Sequence, residues 1–316
     1  MATAAGWALV TPAAVVAAAR VARIERTTPL LMAEAVGPVI AAPALGALAL
    51  AAATRRRPLA AVAAAVTGLH SAWLAADLRR ARPTTSAADD DARLRLFSAN
   101  VLYVNTYLEG IAAELRDVDP DVVVLQELTA PALAALEGAG SLDGFPHRWL
   151  NPRPDHMGTA ILSRLPLEDA ETWTSAGRQM ARATVIVGEH RLRLYNVHTR
   201  APFGPGGQAI WNTQLADLAN VVRSEPGPLV LVGDFNAACG HGPFRRLLDA
   251  GVREAHTVRR RWWVTTWPSD RRLVPALARI DHVLASPHVA VLEVGEGAGV
   301  GSDHRPVFAD LAVRRV

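Results

Sequence analysis

The pattern of apolar and polar positions divides the chain into an apolar N-terminal block and a longer, mixed remainder. Three apolar stretches occupy roughly residues 4–19, 29–53 and 59–76, and clusters of Arg lie between them. A membrane-spanning helix needs about 20 mostly apolar residues, a length that the second stretch reaches and the other two approach. The block has several apolar segments and no basic start, unlike a cleavable signal peptide. We therefore predict a membrane region at residues 1–82 with three transmembrane helices.

The orientation of this block is harder to predict. A water-soluble bundle of Ala-rich helices is the alternative interpretation of the same pattern. Arg clusters of similar size flank every segment, so the positive-inside rule does not select an orientation. Three spans that start in the cytoplasm put the C-terminal domain outside, whereas two spans keep it inside. We expect a multi-pass protein of the cell membrane with an extracytoplasmic C-terminal domain.

The remainder of the chain predicts a layered α/β domain. Residues 83–91 are polar and lack periodicity, which indicates a linker. Over residues 92–316, short apolar runs typical of buried strands alternate with amphipathic helical patterns. Hairpins also occur, as where Gly188-Glu189 splits two strand patterns. Two sheets flanked by helices therefore fit better than a doubly wound parallel sheet.

Composition and charge add few constraints. The net charge of +3 and the isoelectric point near 9.7 permit anionic partners without requiring them. Lys is absent, so every basic residue other than His is Arg. Cys239 is the only Cys, which excludes an internal disulfide bond.

Two short strings carry most of the candidate chemistry. Gly233-Asp234-Phe235-Asn236 ends an apolar run, and Ser302-Asp303-His304-Arg305-Pro306 precedes the last one. A carboxylate and an amide at the mouth of a buried strand are good oxygen ligands for a hard cation. A His beside an Asp adds a group that handles protons. Taken singly, each string is more often a turn or a surface pair; together they indicate Mg²⁺-assisted hydrolysis of a phosphoester.

A segment rich in Arg and Trp, residues 259–263, permits three interpretations. Basic residues interleaved with aromatic ones bind nucleic acid through phosphate contact and stacking. The same mixture suits a membrane interface, where Trp and Arg lie at the headgroups. An ordinary loop with inward-packed Trp is the third interpretation. We predict that this segment binds substrate near the headgroups, through Arg259, Arg260, Arg261 and Trp262.

Seven strings, in order, resemble the endonuclease/exonuclease/phosphatase superfamily, which includes DNase I-like nucleases, inositol-phosphate phosphatases and neutral sphingomyelinases. They are Ser98-Ala99-Asn100-Val101, Leu125-Gln126-Glu127, Gly158-Thr159-Ala160-Ile161-Leu162-Ser163-Arg164, Tyr195-Asn196-Val197-His198, Gly233-Asp234-Phe235-Asn236, Arg279-Ile280-Asp281-His282-Val283 and Ser302-Asp303-His304-Arg305-Pro306. The apolar block resembles membrane-anchored bacterial members linked to glycopeptide-antibiotic resistance. The resemblance implies a four-layer α/β sandwich, two mixed β-sheets flanked by helices, and a divalent metal, Mg²⁺ or alternatively Mn²⁺.

The resemblance also implies a role for each matched residue. Glu127 is the principal metal ligand, with Asn100 and Asp303 close by. His304 acts at the phosphoryl group and Asp281 orients its ring. Three further residues position the attacking water, the phosphate or the leaving group: Asp234, Asn236 and His198. Whether Asp234 or His304 takes the proton of the water stays open. Some nucleases have an acid where this chain has Leu102, so a second ligand from that strand is in doubt.

Three functions remain after these steps. The first is a membrane-anchored phosphoesterase acting on a phosphate ester or pyrophosphate of a lipid or polyprenyl carrier. The second is a membrane-bound or extracytoplasmic nuclease, which we favour less. The third is a non-catalytic envelope resistance or binding protein. Fold and motif do not choose among substrates, and the sequence does not give the oligomeric state.

Overall fold

The computed structural model describes residues 2–22, 28–80, 91–270 and 275–314. Contacts divide the chain into two compact units, Met1–Arg80 with Ala238–Arg245 and Ala81–Ala237 with Arg246–Val316. The predicted linker at 83–91 lies outside the described residues except for its last position.

The first unit contains four helices: α1 (Ala2–Ala22), α2 (Thr28–Ala35), α3 (Gly37–Ala53) and α4 (Arg57–Arg80). Two helices, Ala2–Ala22 and Arg57–Arg79, are long and apolar enough to cross a membrane. The second predicted span is instead a bent pair, with 79° between its two parts. A Pro in the first turn of α3 explains the break, because Pro favours a helix start and disrupts a helix interior. The described helices therefore contain two candidate membrane spans, or three if the bent pair is one span.

Small side chains fill the contacts among α1, α3 and α4. Ala13, Ala44, Ala47 and Ala63 are fully buried in one apolar cluster. Small residues let helix backbones approach closely, which is how helices associate where water supplies no hydrophobic drive.

The second unit is built on two six-stranded mixed sheets. The first has the order β11-β12-β1-β2-β4-β3 and comprises β1 (Ala92–Asn100), β2 (Val122–Gln126), β3 (His147–Asn151), β4 (Thr159–Ser163), β11 (Val289–Glu296) and β12 (Val307–Val313). The second has the order β5-β6-β7-β8-β10-β9 and comprises β5 (Leu167–Ser175), β6 (Arg178–Val187), β7 (His190–His198), β8 (Leu229–Asp234), β9 (Arg253–Glu254) and β10 (Asp281–Ala285). Each sheet has a central parallel pair, β1 with β2 and β7 with β8.

Five helices complete this part of the chain: α5 (Glu109–Val118), α6 (Ala130–Gly138), α7 (Gly207–Ser224), α8 (Gly242–Asp249) and α9 (Ala255–Val258). Strand alternation sends Leu96 and Val124 into a core with Leu194 and Val232 of the other sheet. The neighbouring residue Phe97 faces the opposite side and packs with apolar residues of α5 and α6. The predicted sandwich of two mixed sheets flanked by helices is confirmed.

A buried ion pair fastens the long connection between α9 and β10. The Arg279 guanidinium donates to Glu254 Oε2 at 3.0 Å and to the carbonyls of Arg261 and Val264 at 3.2 Å. The Glu254 carboxylate also accepts from the first N–H groups of α9, as an N-cap does. Next to it, the Thr266 hydroxyl accepts from the N–H groups that begin β10. The pair therefore sets where β10 starts.

Burial alone would raise the pKa of Glu254, but the charge of Arg279 and hydrogen bonds from His256 and His282 hold this pKa well below its ordinary value of 4.5. A carboxylate whose folded-state pKa is depressed stabilises the fold above its unfolded-state pKa. That stabilisation is lost as the pH falls through the folded-state value.

We expect Glu254→Gln to lower the free energy of unfolding by about 3 kcal/mol at neutral pH, because it leaves the Arg279 charge buried without its counter-ion. Thermal unfolding of the full chain in detergent measures this effect. The control is Glu171→Gln, which breaks a largely exposed pair with Arg182 and costs about 1 kcal/mol or less. The difference between wild type and Glu254→Gln should shrink as the pH falls below 4.5. Equal costs for the two variants, or a difference that grows in acid, would contradict this account.

Candidate active site

Strand ends from both sheets meet at one end of the sandwich and deliver polar side chains there. In the first sheet β1 ends at Asn100, and β2 ends one residue before Glu127. In the second sheet β7 ends at His198 and β8 at Asp234, which are paired in register. Strand β10 runs antiparallel to β8, so its first residue, Asp281, lies opposite Asp234. Residues far apart in the sequence therefore share one location.

Asn100 joins the two sheets at this location. Its amide nitrogen donates to Glu127 Oε1 at 3.1 Å and to Asp234 Oδ2 at 3.2 Å. The side-chain oxygen of Asn100, Oδ1, accepts from the Leu102 N–H, and Glu127 Oε2 accepts from the Tyr103 N–H. The loop after β1 is thereby folded over the two carboxylates. Leu102, where a second acidic ligand was in doubt, supplies a backbone donor.

Buried polar side chains next to these residues form further hydrogen bonds between the two sheets. Gln126 Nε2 donates to Asn196 Oδ1 at 2.7 Å, which is a second bridge between the sheets. Asn196 Nδ2 in turn donates to Thr159 Oγ1 and to carbonyls of the first sheet. Gly233, at φ +133°, has no room for a side chain, because a Cβ would overlap the Val197 carbonyl oxygen. The approach of β7 and β8 under the site requires this glycine.

Asp234 is almost fully buried at the centre of the cluster. Its carboxylate accepts from the N–H and the side-chain amide of Asn236 at 2.8 and 3.2 Å. Burial raises the pKa of Asp234 to about 7; the nearby His304 opposes the rise, and the charges of Asp281 and Glu127 add to it. The carboxylates of Asp234, Asp281 and Glu127 converge here, and the protein cations close by are too few to balance their negative charges.

His304 is held by Asp281. Its Nδ1 lies 3.0 and 3.1 Å from the two Asp281 oxygens, and its Nε2 lies 3.8 Å from Asp234 Oδ2. Burial would lower the pKa of His304, but the charges of Asp281 and Asp234 outweigh it and raise this pKa to about 10. The ring is therefore a cation that donates through Nδ1 and directs Nε2 at the cluster.

His198 and Arg178 form the opposite wall. His198 Nε2 lies 3.6 Å from Asp234 Oδ2 and 3.7 Å from Glu127 Oε1. Burial and the Arg178 charge hold the pKa of His198 well below its ordinary value, so this ring is neutral. The Arg178 guanidinium lies 2.8 and 2.9 Å from the two ring nitrogens and also donates to the His156 carbonyl.

Sequence reasoning missed Arg178. It stands at the start of β6, just after a turn, and not at the end of an apolar strand where the other site residues were sought. It is buried, and the charges of Asp234 and Glu127 act on it. No local pattern marks it, because its partner His198 lies twenty positions further along the chain.

Asp303 approaches the cluster from the side of His304. Its Oδ1 lies 3.8 Å from His304 Nε2, and its Oδ2 accepts from the Trp267 indole N–H at 3.0 Å. Among the described residues no hydrogen bond joins it to Asn100. Trp267, grouped in the sequence with the Arg and Trp segment, instead holds a site carboxylate.

The predicted substrate-binding residues, Arg259, Arg260, Arg261 and Trp262, have their described contacts with residues outside the cluster. Arg259 and Arg260 are exposed, and the Trp262 ring packs edge-on against Trp263. The Arg261 guanidinium pairs with Glu296 at 2.8 Å and donates to the Val294 carbonyl. In the described part of the chain no ion pair joins these four residues to Asp234 or Glu127. Arg261 is committed to β11, a partner that its local sequence does not reveal. The neighbouring basic pair Arg271-Arg272 falls outside the described residues.

The donor set fits a divalent cation. Asp234 and Asp281 each offer an oxygen ligand atom, and these atoms lie within 4.8 Å of each other and of a ring nitrogen of His304. Glu127 and Asn100 stand on the other side of Asp234. Oxygen donors from several carboxylates and an amide are what hard divalent ions such as Mg²⁺ prefer. A cation would also offset the like charges that raise the pKa of Asp234.

Comparison with known proteins gave one family match. The model of the Endonuclease/Exonuclease/phosphatase family matches residues 97–304, a range that contains the whole cluster. A search of curated proteins found no match.

Solved structures with a similar fold include an endonuclease/exonuclease/phosphatase from Beutenbergia cavernae. It is 21% identical with a TM-score of 0.54, over 71% of this chain and 72% of that chain. The 3′ phosphatase NExo from Neisseria, solved with a product DNA hairpin, is 26% identical with a TM-score of 0.55, over 68% and 98%. TDP2 from D. rerio, solved with a single-strand DNA product, is 20% identical with a TM-score of 0.58, over 70% and 99%.

Proposed function

The chain belongs to the Endonuclease/Exonuclease/phosphatase family, and from this premise we propose that it is a membrane-anchored, Mg²⁺-dependent phosphoesterase. Its proposed substrate is a phosphate ester or pyrophosphate of a lipid or polyprenyl carrier at the cell envelope. The predicted superfamily and the predicted enzyme class, a metal-dependent hydrolase of phosphoester bonds, are both confirmed by the family match. The link to glycopeptide-antibiotic resistance stays a prediction.

The observation that carries the proposal is the convergence of Glu127, Asn100, Asp234, Asp281 and His304 on one buried location. Glu127 and Asn100 would hold the metal, with Asp303 on the His304 side. A bound divalent ion neutralises charge on the phosphate and lowers the pKa of a bound water. Mg²⁺ is the proposed ion and Mn²⁺ the alternative, because few carboxylates and open positions suit both.

The geometry favours Asp234 over His304 as the acceptor of the water proton. Asp281 and Asp234 flank the two nitrogens of His304, so negative charge on both sides keeps that ring protonated. Asp234 Oδ2 faces the space between His198 and His304, and Asn236 fixes its other oxygen. His304 would then donate to the negative oxygen that develops during hydrolysis.

We propose that Arg178 and His198 bind the phosphoryl group. Arg is suited to phosphate because its planar guanidinium presents several donors at once. Here it is buried beside a neutral His, so its charge is poorly screened by water. Its Nε is buried and has no hydrogen-bond partner among the described residues.

The lipid assignment is supported by the apolar helices of the same chain. A membrane-bound nuclease is the second candidate, because the NExo and TDP2 structures contain DNA products. Both candidates use the same site residues, so only substrates distinguish them.

Helix directions in the first unit support an extracytoplasmic catalytic domain. Gly6 lies against Leu59, Ala13 accepts a hydrogen bond from the His70 ring, and Arg20 lies over the Trp73 ring. Residue numbers rise together along α1 and α4, so these helices run parallel. If both cross the membrane, α4 ends on the side opposite the N-terminus. A cytoplasmic N-terminus then places the following domain outside.

We expect the full chain to release phosphate from prenyl pyrophosphates in Mg²⁺, with the activity lost in EDTA and restored by Mg²⁺ or Mn²⁺. Glu127→Ala and His304→Ala should each lower the rate by at least about a hundredfold. Glu189→Gln, an exposed substitution at the far end of β7, is the control. Nicking of plasmid DNA without lipid-phosphate hydrolysis would instead support the nuclease.

Arg178→Met should lower kcat/KM by about a hundredfold, because a buried donor to the phosphoryl group is removed. Arg178→Lys should recover part of the loss, since charge remains without the planar fork. Arg182→Met, on the same strand but paired with Glu171, is the matched control. Wild-type kinetics for Arg178→Met would exclude a role in phosphate binding.

The topology is tested with a single Cys at position 189 in a Cys239→Ser background. A membrane-impermeant maleimide should label Glu189→Cys in intact cells as fully as after lysis. Labelling that requires lysis would place the domain in the cytoplasm.

A further inference from the structure

Large apolar side chains are exposed around the site end of the second unit. Six of them have between 36% and 62% of their surface exposed, and we term them the apolar rim: Tyr103, Val104, Tyr107, Phe203, Trp263 and Val300. They come from four separate loops, at 101–108, 199–206, 259–270 and 297–306. In the described part of the second unit, the other large apolar residue exposed to this degree is Leu150, which lies on β3.

Two rim loops are fastened directly to the site. The Tyr103 N–H donates to Glu127, and its ring lies 6.1 Å from that of His156. The Ser302 hydroxyl donates to the Asn100 carbonyl at 2.7 Å. Gly301 packs so closely on the carbonyl of Tyr107 that a Cβ there would overlap it. The loops that carry residues 103, 104, 107 and 300 are therefore anchored beside Glu127 and Asn100.

The other two loops are tied to the opposite side. The Asn236 amide donates to the Thr199 carbonyl at 3.0 Å, four residues before Phe203. Trp267, which donates to Asp303, lies four residues after Trp263. Each rim residue is thus within a few positions of a residue that contacts the catalytic cluster. The rim residues therefore lie on the same loops as residues that contact the cluster.

The chemistry of the rim is that of a lipid interface. Aromatic rings combine an apolar body with a polar edge and collect at headgroup level in membranes. Arg259 and Arg260 are exposed beside Trp263 and would meet lipid phosphates. Exposed apolar groups gathered at one location mark an interaction surface, since soluble domains rarely leave them uncovered. The same chain carries helices apolar enough to cross a membrane, which keeps a bilayer nearby.

We propose that the apolar rim inserts into the headgroup layer of the bilayer, so that the site opens onto phosphate groups at the lipid surface. This inference rests on the proposed function and deepens it. It selects a substrate that stays in the membrane, in place of a soluble ester or a nucleic acid.

The test measures insertion independently of catalysis. The full chain, in a Cys239→Ser background, carries an environment-sensitive fluorophore on a single Cys that replaces Val104, Trp263 or Val300. It is reconstituted in vesicles of phosphatidylglycerol and phosphatidylethanolamine that contain nitroxide lipids. Interfacial segments reach about 5–10 Å into the headgroup boundary, so the nitroxide should quench rim labels by about half or more. A label at Glu189→Cys, at the far end of β7, should be unaffected. Equal quenching at rim and control positions would overturn the proposal. A response of the rim labels to single-stranded DNA in place of lipid would also overturn it.

A kinetic comparison separates this proposal from the proposed function. The double variant Val104→Ser/Val300→Ser should hydrolyse a vesicle-embedded prenyl pyrophosphate about tenfold more slowly than wild type, because the site no longer docks on the surface. Its rate on a soluble phosphoester should stay at the wild-type value, which shows that the variant folds. Leu150→Ser is the matched control. An unchanged rate on vesicles would contradict membrane docking by the apolar rim and would not affect the proposed phosphoesterase activity. Quenched rim labels on a chain that hydrolyses no ester would overturn the phosphoesterase and leave docking standing.

Discussion

The hydrogen bonds of the Asn100 amide connect the two sheets of the catalytic unit directly at the site. One nitrogen donates to Glu127 of its own sheet and to Asp234 of the other. Both bonds exist only if β1 and β8 end at the same level, which fixes the offset between the sheets. The Gln126–Asn196 bond repeats the constraint one layer below. Because a one-residue slip turns every side chain to the other face, the packing of the core and the geometry of the site are set together.

This arrangement of buried charges destabilises the fold, and contacts within the site do not compensate for that loss. Buried like charges raise the pKa of Asp234, and burial without full pairing disfavours carboxylates. Glu127 and Asn236 also adopt positive φ angles of 58° and 46°, which are unfavourable for residues other than Gly. The cores on both faces of the sheets, and buried pairs such as Arg279 with Glu254, offset these costs. Strain and unbalanced charge gathered at one location are typical of a catalytic site.

Sequence predicted the residues that follow apolar strands, because strand ends gather at one edge of a sheet. Asn100, Glu127, His198 and Asp234 were found in this way, and the approximate bounds of two helices long and apolar enough to cross a membrane also follow from apolar length. Arg178 was missed because it begins its strand, and Arg261 was assigned to substrate because its partner Glu296 lies 35 positions away. The bend between α2 and α3 depended on a Pro whose effect on a long apolar run is not fixed locally. Contacts between side chains far apart in the sequence are therefore what the amino-acid sequence alone does not predict.

The central claim is that carboxylates from two sheets form one cation site. Electron paramagnetic resonance of Mn²⁺ titrated into the full chain in detergent tests it without a substrate. We predict one bound Mn²⁺ per chain, with binding weakened at least about tenfold by Glu127→Ala, since each lost ligand costs more than about 1.4 kcal/mol. Undiminished binding in that variant, or no binding by the wild type at millimolar Mn²⁺, would contradict the account.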